Sequence, residues 1–471
     1  MGKTYLEFFK DLCRIPHGSG NTKAISDYCV GFAKEKGFAV RQDAANNVVI
    51  WKEATSGREK DPGVILQGHL DMVAVKEPDL DFDFAKDALH LKTDGDYLYA
   101  EGTSLGGDDG IAVAMALAVL DSEELSHPRL ECVFTTDEEI GMIGASALDM
   151  GDITGRYMLN MDSEEEGHVV GSCAGGCRAE VLYPSSREKK MSPGFRVELT
   201  GLTGGHSGTE IDRGRGNAIR LLAGVLEEMP GSFQLSEIRG GAADNAIPAS
   251  AAAVLAVAPD FEENGYLETK KIQLQTAWAK TDPHLTLEWE PLPESEFPVM
   301  KREDSDRLLK LVTSLPDGPL QYNEEIPDMV EVSTNLGVIS TKEDGVHFVM
   351  APRSAKTADR EALEKEIAGM AKAYGATASF HGEYPGWPFQ ADSRLQQLAA
   401  QVYREQTGKE LVLEGIHAGL ECGIFSEKIP ELDIIAFGPD LMDIHSTKER
   451  LSLPSAERIW KFLVGMLEKI S

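Results

Sequence analysis

His69 and Asp71 stand two positions apart just beyond the apolar run Val64–Leu66, in the segment VILQGHLDMV. Such a run reads as a buried strand, and side chains two apart on a strand share a face. An imidazole and a carboxylate are thereby aimed at the carboxyl edge of a strand, where open α/β sheets bind ligands. Three acidic clusters fall in comparable places. GTSLGGDDG sets Asp108 and Asp109 before an Ala-rich helix, FTTDEEIGMIGA sets Asp137, Glu138 and Glu139 at a strand exit, and LNMDSEEEG sets Asp162 at another. AFGPDLMDIHST adds His445 after a strand near the end of the chain. Any one of these could cap a helix or stand in a solvated loop. Their shared position at strand ends argues for one site, and imidazoles among carboxylates suit a divalent cation. GTSLGGDDG is a poor phosphate cradle, because it lacks the spacing and the lysine of a P-loop and its two aspartates repel phosphate.

The elements that must position these groups follow from periodicity. Residues 4–13 and 22–37 have helical spacing, and AVRQDAANNVVIWK reads as two strands around Asn46-Asn47. VILQGH, RLECVFT and RYMLN read as buried strands, with the apolar helix DGIAVAMALAVL, Asp109 to Leu120, between the first two. Strands alternating with helices predict an α/β fold, a mostly parallel sheet covered by helices. The texture changes after residue 183. Residues 184–383 read as an inserted α+β domain of two related halves, the second opening at EVSTNLGVIS. Residues 1–183 and 384–471 are then two parts of one catalytic domain, which closes with an amphipathic helix from Pro454.

At 471 residues the chain exceeds one ordinary core, in keeping with two domains. With 46 basic and 78 acidic residues, its net charge of -32 disfavours nucleic acid and anionic membranes as partners. No stretch reaches the roughly 20 apolar residues that span a bilayer. The start, MGKTYLEFFKDLCRIP, lacks the apolar core of a secretory signal, and Gly2 lacks the context for myristoylation. The cysteines (Cys13, Cys29, Cys132, Cys173, Cys177 and Cys422) are scattered, which fits reduced thiols in a cytoplasmic protein. Cys173 and Cys177 have no second pair with which to build a zinc ribbon.

Taken in order, QGHLDMV, GTSLGGDDGIAVAMALA, FTTDEEIGMIGA, LNMDSEEEG, CAGG, GGHSG, GRGNA, NAIP and a late histidine strongly resemble the di-metal peptidase family of aminoacylases and carboxypeptidases. The resemblance runs from about residue 5 to 470, and STNLGVI, PGWxP and HAGLECG point to its aminoacyl-histidine dipeptidase subgroup. It implies a cytoplasmic di-metal dipeptidase that cuts Xaa-His dipeptides such as β-Ala-His. The cofactors implied are two divalent ions, zinc first, with manganese or cobalt as alternatives. Asp108 would bridge them, His69 and Asp162 completing one site and Glu139 and His445 the other. Asp71 would orient the His69 ring, and Glu138 would be the general base. The inserted domain would be a lid, in which His206 of GGHSG stabilises the oxyanion. Asn245 of DNAIP, Arg353 of APRSA and Gly419 of HAGLECG would bind substrate.

The bland reading of Glu138 is an exposed loop acid, and that of His206 a capping or core histidine. Asp109 stands where relatives often carry asparagine, HSTKER lacks a proline expected beside the last histidine, and GGAADNAIP and APRSAKTA diverge around their core motifs. His17, His90, His127, His168, His284, His347, His381 and His417 match no metal role. The expected partner is a small peptide, the chain acting as a monomer or homodimer. Rival readings are another di- or tripeptidase or N-acyl amino acid hydrolase of the family, a dinuclear phosphoesterase, and a non-catalytic metal-binding protein.

Overall fold

The computed structural model describes residues 2–326 and 328–471. The chain separates into two compact units: Met1–Cys173 with Trp387–Gly415 and Leu420–Ser471, and Ala174–Gly386 with Ile416–Gly419. The division falls earlier than residue 184 because Gly175–Pro184 is a strand of the second unit's sheet, paired with Gly345–Met350. The short return at Ile416–Gly419 carries no compositional signal.

In the first unit the described strands form an eight-stranded sheet. Its order is Ala39–Gln42, Val48–Lys52, Leu130–Thr135, Val64–His69, Tyr157–Asn160, Asp433–Ala436, His168–Cys173 and Val412–Ile416. The sheet is mixed. Val64–His69 runs parallel to Leu130–Thr135 and to Tyr157–Asn160, and the last is parallel to Asp433–Ala436. Ala39–Gln42 and Val48–Lys52 form a hairpin, which a short connection makes antiparallel, and that hairpin meets Leu130–Thr135 antiparallel. The parallel arrangement expected from alternation therefore describes the centre of the sheet and not its flanks.

The central strands are buried along their whole length, as continuous apolar runs covered on both faces must be. The helix Gly107–Asp121 is buried from Gly110 to Asp121, and its alanines let it lie close to the sheet. Gly68 marks that approach: a Cβ there would stand 2.5 Å from Asp109 Oδ2 and 2.9 Å from Ala112 Cβ. The helix Tyr5–Leu12 opens on a capping box between Thr4 and Glu7 and buries Phe8, Phe9 and Leu12. The closing helix Leu453–Lys469 is capped by Ser452 with Pro454 in its first turn. A separate four-stranded sheet joins Leu91–Asp94 and Tyr97–Ala100 to Leu441–Met442 and Arg450–Ser452, bracketing His445.

In the second unit the described strands form an eleven-stranded sheet. Phe233–Gly240 pairs with Leu336–Thr341, which makes the two expected halves continuous. The helices Ala218–Glu227, Arg302–Ser314 and Thr357–Ala373 contribute Leu222, Leu308 and Ile367 to one apolar core. All six cysteines are free and buried. Among the described residues no helix is long and apolar enough to cross a membrane.

Candidate active site

His69 closes its strand, Asp108 lies in the first turn of the helix Gly107–Asp121, Glu138 and Glu139 follow Leu130–Thr135, and Asp162 follows Tyr157–Asn160. Parallel pairing puts these exits at one edge of the sheet. His69 Nε2 is 3.1 Å from Asp108 Oδ1 and 3.8 Å from Asp162 Oδ1. His445 Nε2 is 3.2 Å from Asp108 Oδ2 and 3.0 Å from Glu139 Oε1. Asp108 thus faces both imidazoles, one through each oxygen. Ligand atoms of Asp108, Glu139 and His445 lie within 4.8 Å of one another, and so do those of His69, Asp109 and Asp162.

Asp71 acts in two directions. His69 Nδ1 is 3.0 Å from the Asp71 carbonyl and 3.6 Å from its carboxylate, so the backbone holds the ring more closely than the side chain expected to do so. The buried carboxylate instead accepts the Glu138 N–H at 3.1 Å, the Glu139 N–H at 3.4 Å and the Ser19 hydroxyl at 2.8 Å. It fixes the turn that presents both glutamates.

The local field is that of too many carboxylates in too little water. Burial pushes Glu138 up to about 8, helped by Glu421, Glu139 and Asp108 and opposed by His69. Burial likewise raises Asp109 and Asp162 well above the carboxylate range, and Glu164 and Glu421 to about 7. Burial alone would depress His69; the Asp108 and Asp71 carboxylates outweigh it and hold the imidazole well above its ordinary value. Asp108 and Glu139 raise His445 to about 10. Burial opposes ionisation of Asp108, yet its bonds to His445 and His69 hold it below the usual range. Buried carboxylates must be compensated by cations or protons, and this oxygen-rich set with two imidazoles fits two divalent ions.

The second unit holds the remaining predicted residues. Arg353 is 8% exposed, and its Nη1 donates to the Tyr384 hydroxyl at 2.7 Å. Among the described residues no carboxylate pairs with this guanidinium. A cavity of about 300 Å³ is lined by Arg353, Asn245, Arg178, Asp244, His381 and Tyr384, with other residues. His206 lies on the GGHSG turn, where its Nδ1 accepts the N–H groups of Gly208 and Thr209 at 3.2 and 3.1 Å. That leaves the proton on Nε2, and burial and Arg353 keep the ring neutral. Gly419 ends the four-residue return in which His417 Nε2 meets the Ser333 hydroxyl at 2.7 Å.

Sequence reasoning named the groups that converge at this edge and gave no role to four carboxylates around them. Asp109, noted beside Asp108 and as a departure from relatives, accepts the His69 N–H on its Oδ2 at 3.1 Å. Glu421 lies within HAGLECG and takes Gln67 and Thr135 as donors at 2.6 and 2.7 Å. Glu164 lies within LNMDSEEEG and Glu449 within HSTKER, but nothing in their spacing distinguishes them from surface acids. In HSTKER, which lacks the expected proline, Thr447 donates to Glu77.

Residues 65–469 match the model of peptidase family M20/M25/M40, and the chain belongs to that family. It is 36% identical over 476 residues to the cytosol non-specific dipeptidase of Escherichia coli (strain K12), covering 98% of this chain and 97% of that protein. It is also similar to the crystal structure of aminoacylhistidine dipeptidase from Vibrio alginolyticus, at 36% identity and a TM-score of 0.95, covering 99% and 96% of the two chains. Aminopeptidase PepT from Bacillus cereus ATCC 10987 shares the fold at 16% identity and a TM-score of 0.56, covering 99% of this chain and 98% of that one.

Proposed function

We propose that this peptidase is a cytoplasmic di-metal dipeptidase that cuts Xaa-His and related dipeptides. The observation that carries the reading is the convergence of His69, Asp108, Glu139, Asp162 and His445, with Glu138 close to His69 and Glu139. The two relatives of closely similar length, named as dipeptidases, support it. Two divalent ions, zinc or similar, held by those five residues would acidify a water molecule and polarise the scissile carbonyl.

The rest falls to the chain. Glu138, set by Asp71 and made basic by burial, takes a proton from the attacking water and returns it to the departing amine nitrogen. His206, neutral with its proton on Nε2, is assigned the donor to the oxyanion. Arg353, a buried cation with no carboxylate partner among the described residues, is assigned the substrate's terminal carboxylate, together with the Gly419 N–H and Asn245. A carboxylate anchor one residue beyond the scissile bond measures the leaving portion and selects dipeptides.

The test is a panel of β-Ala-His, Ala-His, other dipeptides, Ala-Ala-His and an acetylated amino acid, assayed with the metal-loaded enzyme and after chelation. Dipeptide cleavage that is lost on chelation and restored by added metal is expected. Preference for the acetylated amino acid or the tripeptide would overturn the reading, and equal rates across all dipeptides would remove the Xaa-His preference.

A further inference from the structure

Glu449 has a position that its sequence context does not announce. It lies four residues after His445, on the far side of a turn in which Asp443 and His445 both have positive φ, 54° and 57°. Such angles disfavour residues with a Cβ, so the surroundings must hold this turn in place. The Glu449 side chain runs inward, 3% exposed, to the loop that opens the helix Gly107–Asp121. Its Oε2 accepts the N–H groups of Leu105 at 2.7 Å and Gly106 at 3.1 Å. Its Oε1 accepts those of Gly107 at 2.8 Å and Asp108 at 3.4 Å.

Four successive backbone donors closing on one point make an anion nest at a helix start, and here the chain fills it with its own carboxylate. Gly106 permits the curl with φ of 67°. Gly107 permits the approach, since a Cβ there would stand 3.2 Å from Glu449 Oε1 and 2.6 Å from Leu441 Cδ2.

We infer that Glu449 is a positioning residue for the metal centre: it clamps the loop carrying Asp108 to the loop carrying His445. This rests on the reading of those two as metal ligands. The clamp ends where they begin, for Asp108 donates its own N–H to Glu449 and turns its side chain to His445. The ring of His445 is half-exposed, and its Nε2 meets the carboxylates of Asp108 and Glu139. Glutamine cannot replace the carboxylate. Its single oxygen serves at most one pair of donors, and its NH₂ turns N–H toward N–H on the other.

The test is titration of the metal-stripped full-length chain with Co²⁺ alone, followed by calorimetry and the visible absorption of the bound ion. Wild type should take up two equivalents. In Glu449→Gln one of the two should weaken by about 10–100-fold while the other keeps its affinity. Activity should return toward the wild-type kcat in excess metal, because the groups that do chemistry are intact. Two equivalents bound with wild-type affinity would overturn the clamp, and so would equal weakening of both. Should Glu449→Gln fail to fold, Glu449→Asp keeps the charge and withdraws it by one methylene. An unchanged titration in that variant would also overturn the clamp, whereas selective weakening would support it. A wild-type chain that takes up fewer than two ions would overturn the metal reading, and the clamp with it.

Discussion

Asn in place of Asp71 changes one atom type and should cost much of the activity. The better rotamer keeps the Glu138 N–H on its oxygen and turns the amide nitrogen toward Ser19, whose hydroxyl can accept. The Glu139 N–H, now on Asp71 Oδ2, is then left facing an N–H₂ group. A bond to a charged acceptor contributes about 1.5–3 kcal/mol and a neutral one about 0.5–1.5, so neutralising the surviving contact loses roughly 1 kcal/mol. An unsatisfied buried donor costs about 1–3 more. If the glutamate turn relaxes to escape that loss of about 2–4 kcal/mol, Glu138 and Glu139 leave their working positions. At about 1.4 kcal/mol per decade, kcat/KM should fall roughly 30–1000-fold. Hydrolysis of Ala-His in excess metal, with metal content measured in parallel, reads the effect. A rate within about threefold of wild type at normal metal content would refute the assignment of the turn to Asp71.

Glu138→Gln should retain both ions and lose about 10²–10⁴-fold in kcat, and near-normal turnover would remove Glu138 as the base. Arg353→Ala should weaken cleavage of β-Ala-His while scarcely changing its C-terminal amide, narrowing the ratio between them; an unchanged ratio would place the carboxylate elsewhere. Asp317 gives a pH dependence in the second unit. Burial raises its carboxyl to about 6 against the Leu336 N–H, Arg220 and Asn217 that favour ionisation. A folded pKa above the unfolded one favours folding of the protonated form, so this stability is present below about pH 4 and is lost as pH rises through about 6. Asp317→Asn should therefore flatten the stability curve by about 1–3 kcal/mol between about pH 4 and about pH 7, measured by urea unfolding at each pH. Parallel curves for the two proteins would count against it.

The parts legible in the sequence are those in which local pattern and long-range position agree. Val64–His69 and Leu130–Thr135 are largely apolar because both faces are covered, and each leads into residues assigned to the proposed site. The helix after Asp108 announces its burial by its alanines. The strand Thr286–Met300 was illegible for the opposite reason. It is a sheet edge, largely exposed and rich in glutamate, with Pro291, Pro293 and Pro298 tolerated where one side of the ladder is unpaired. The small sheet joining Tyr97–Ala100 to Arg450–Ser452 unites segments hundreds of residues apart, each too short to show a period. The second part played by Asp71 and the nest around Glu449 depend on backbone N–H groups, which every residue but proline carries, so no residue type marks them.

The strand Asp433–Ala436 lies between Tyr157–Asn160 and His168–Cys173, two strands close together in sequence. A ribosome adding about 5–20 residues per second must make roughly 260 more residues after His168–Cys173 before that strand exists, on the order of 10–50 seconds. Throughout that time Tyr157–Asn160 and His168–Cys173 lack the strand that joins them, and their unpaired backbone groups are open to any other chain. The second unit's long segment is made in the same interval and can fold while the first one waits. His445 emerges later still, so the proposed metal centre cannot be completed before it does. Slow translation or a shortage of chaperones should therefore harm the yield of this protein through the first unit, at a stage when its Asp433–Ala436 strand is still unmade.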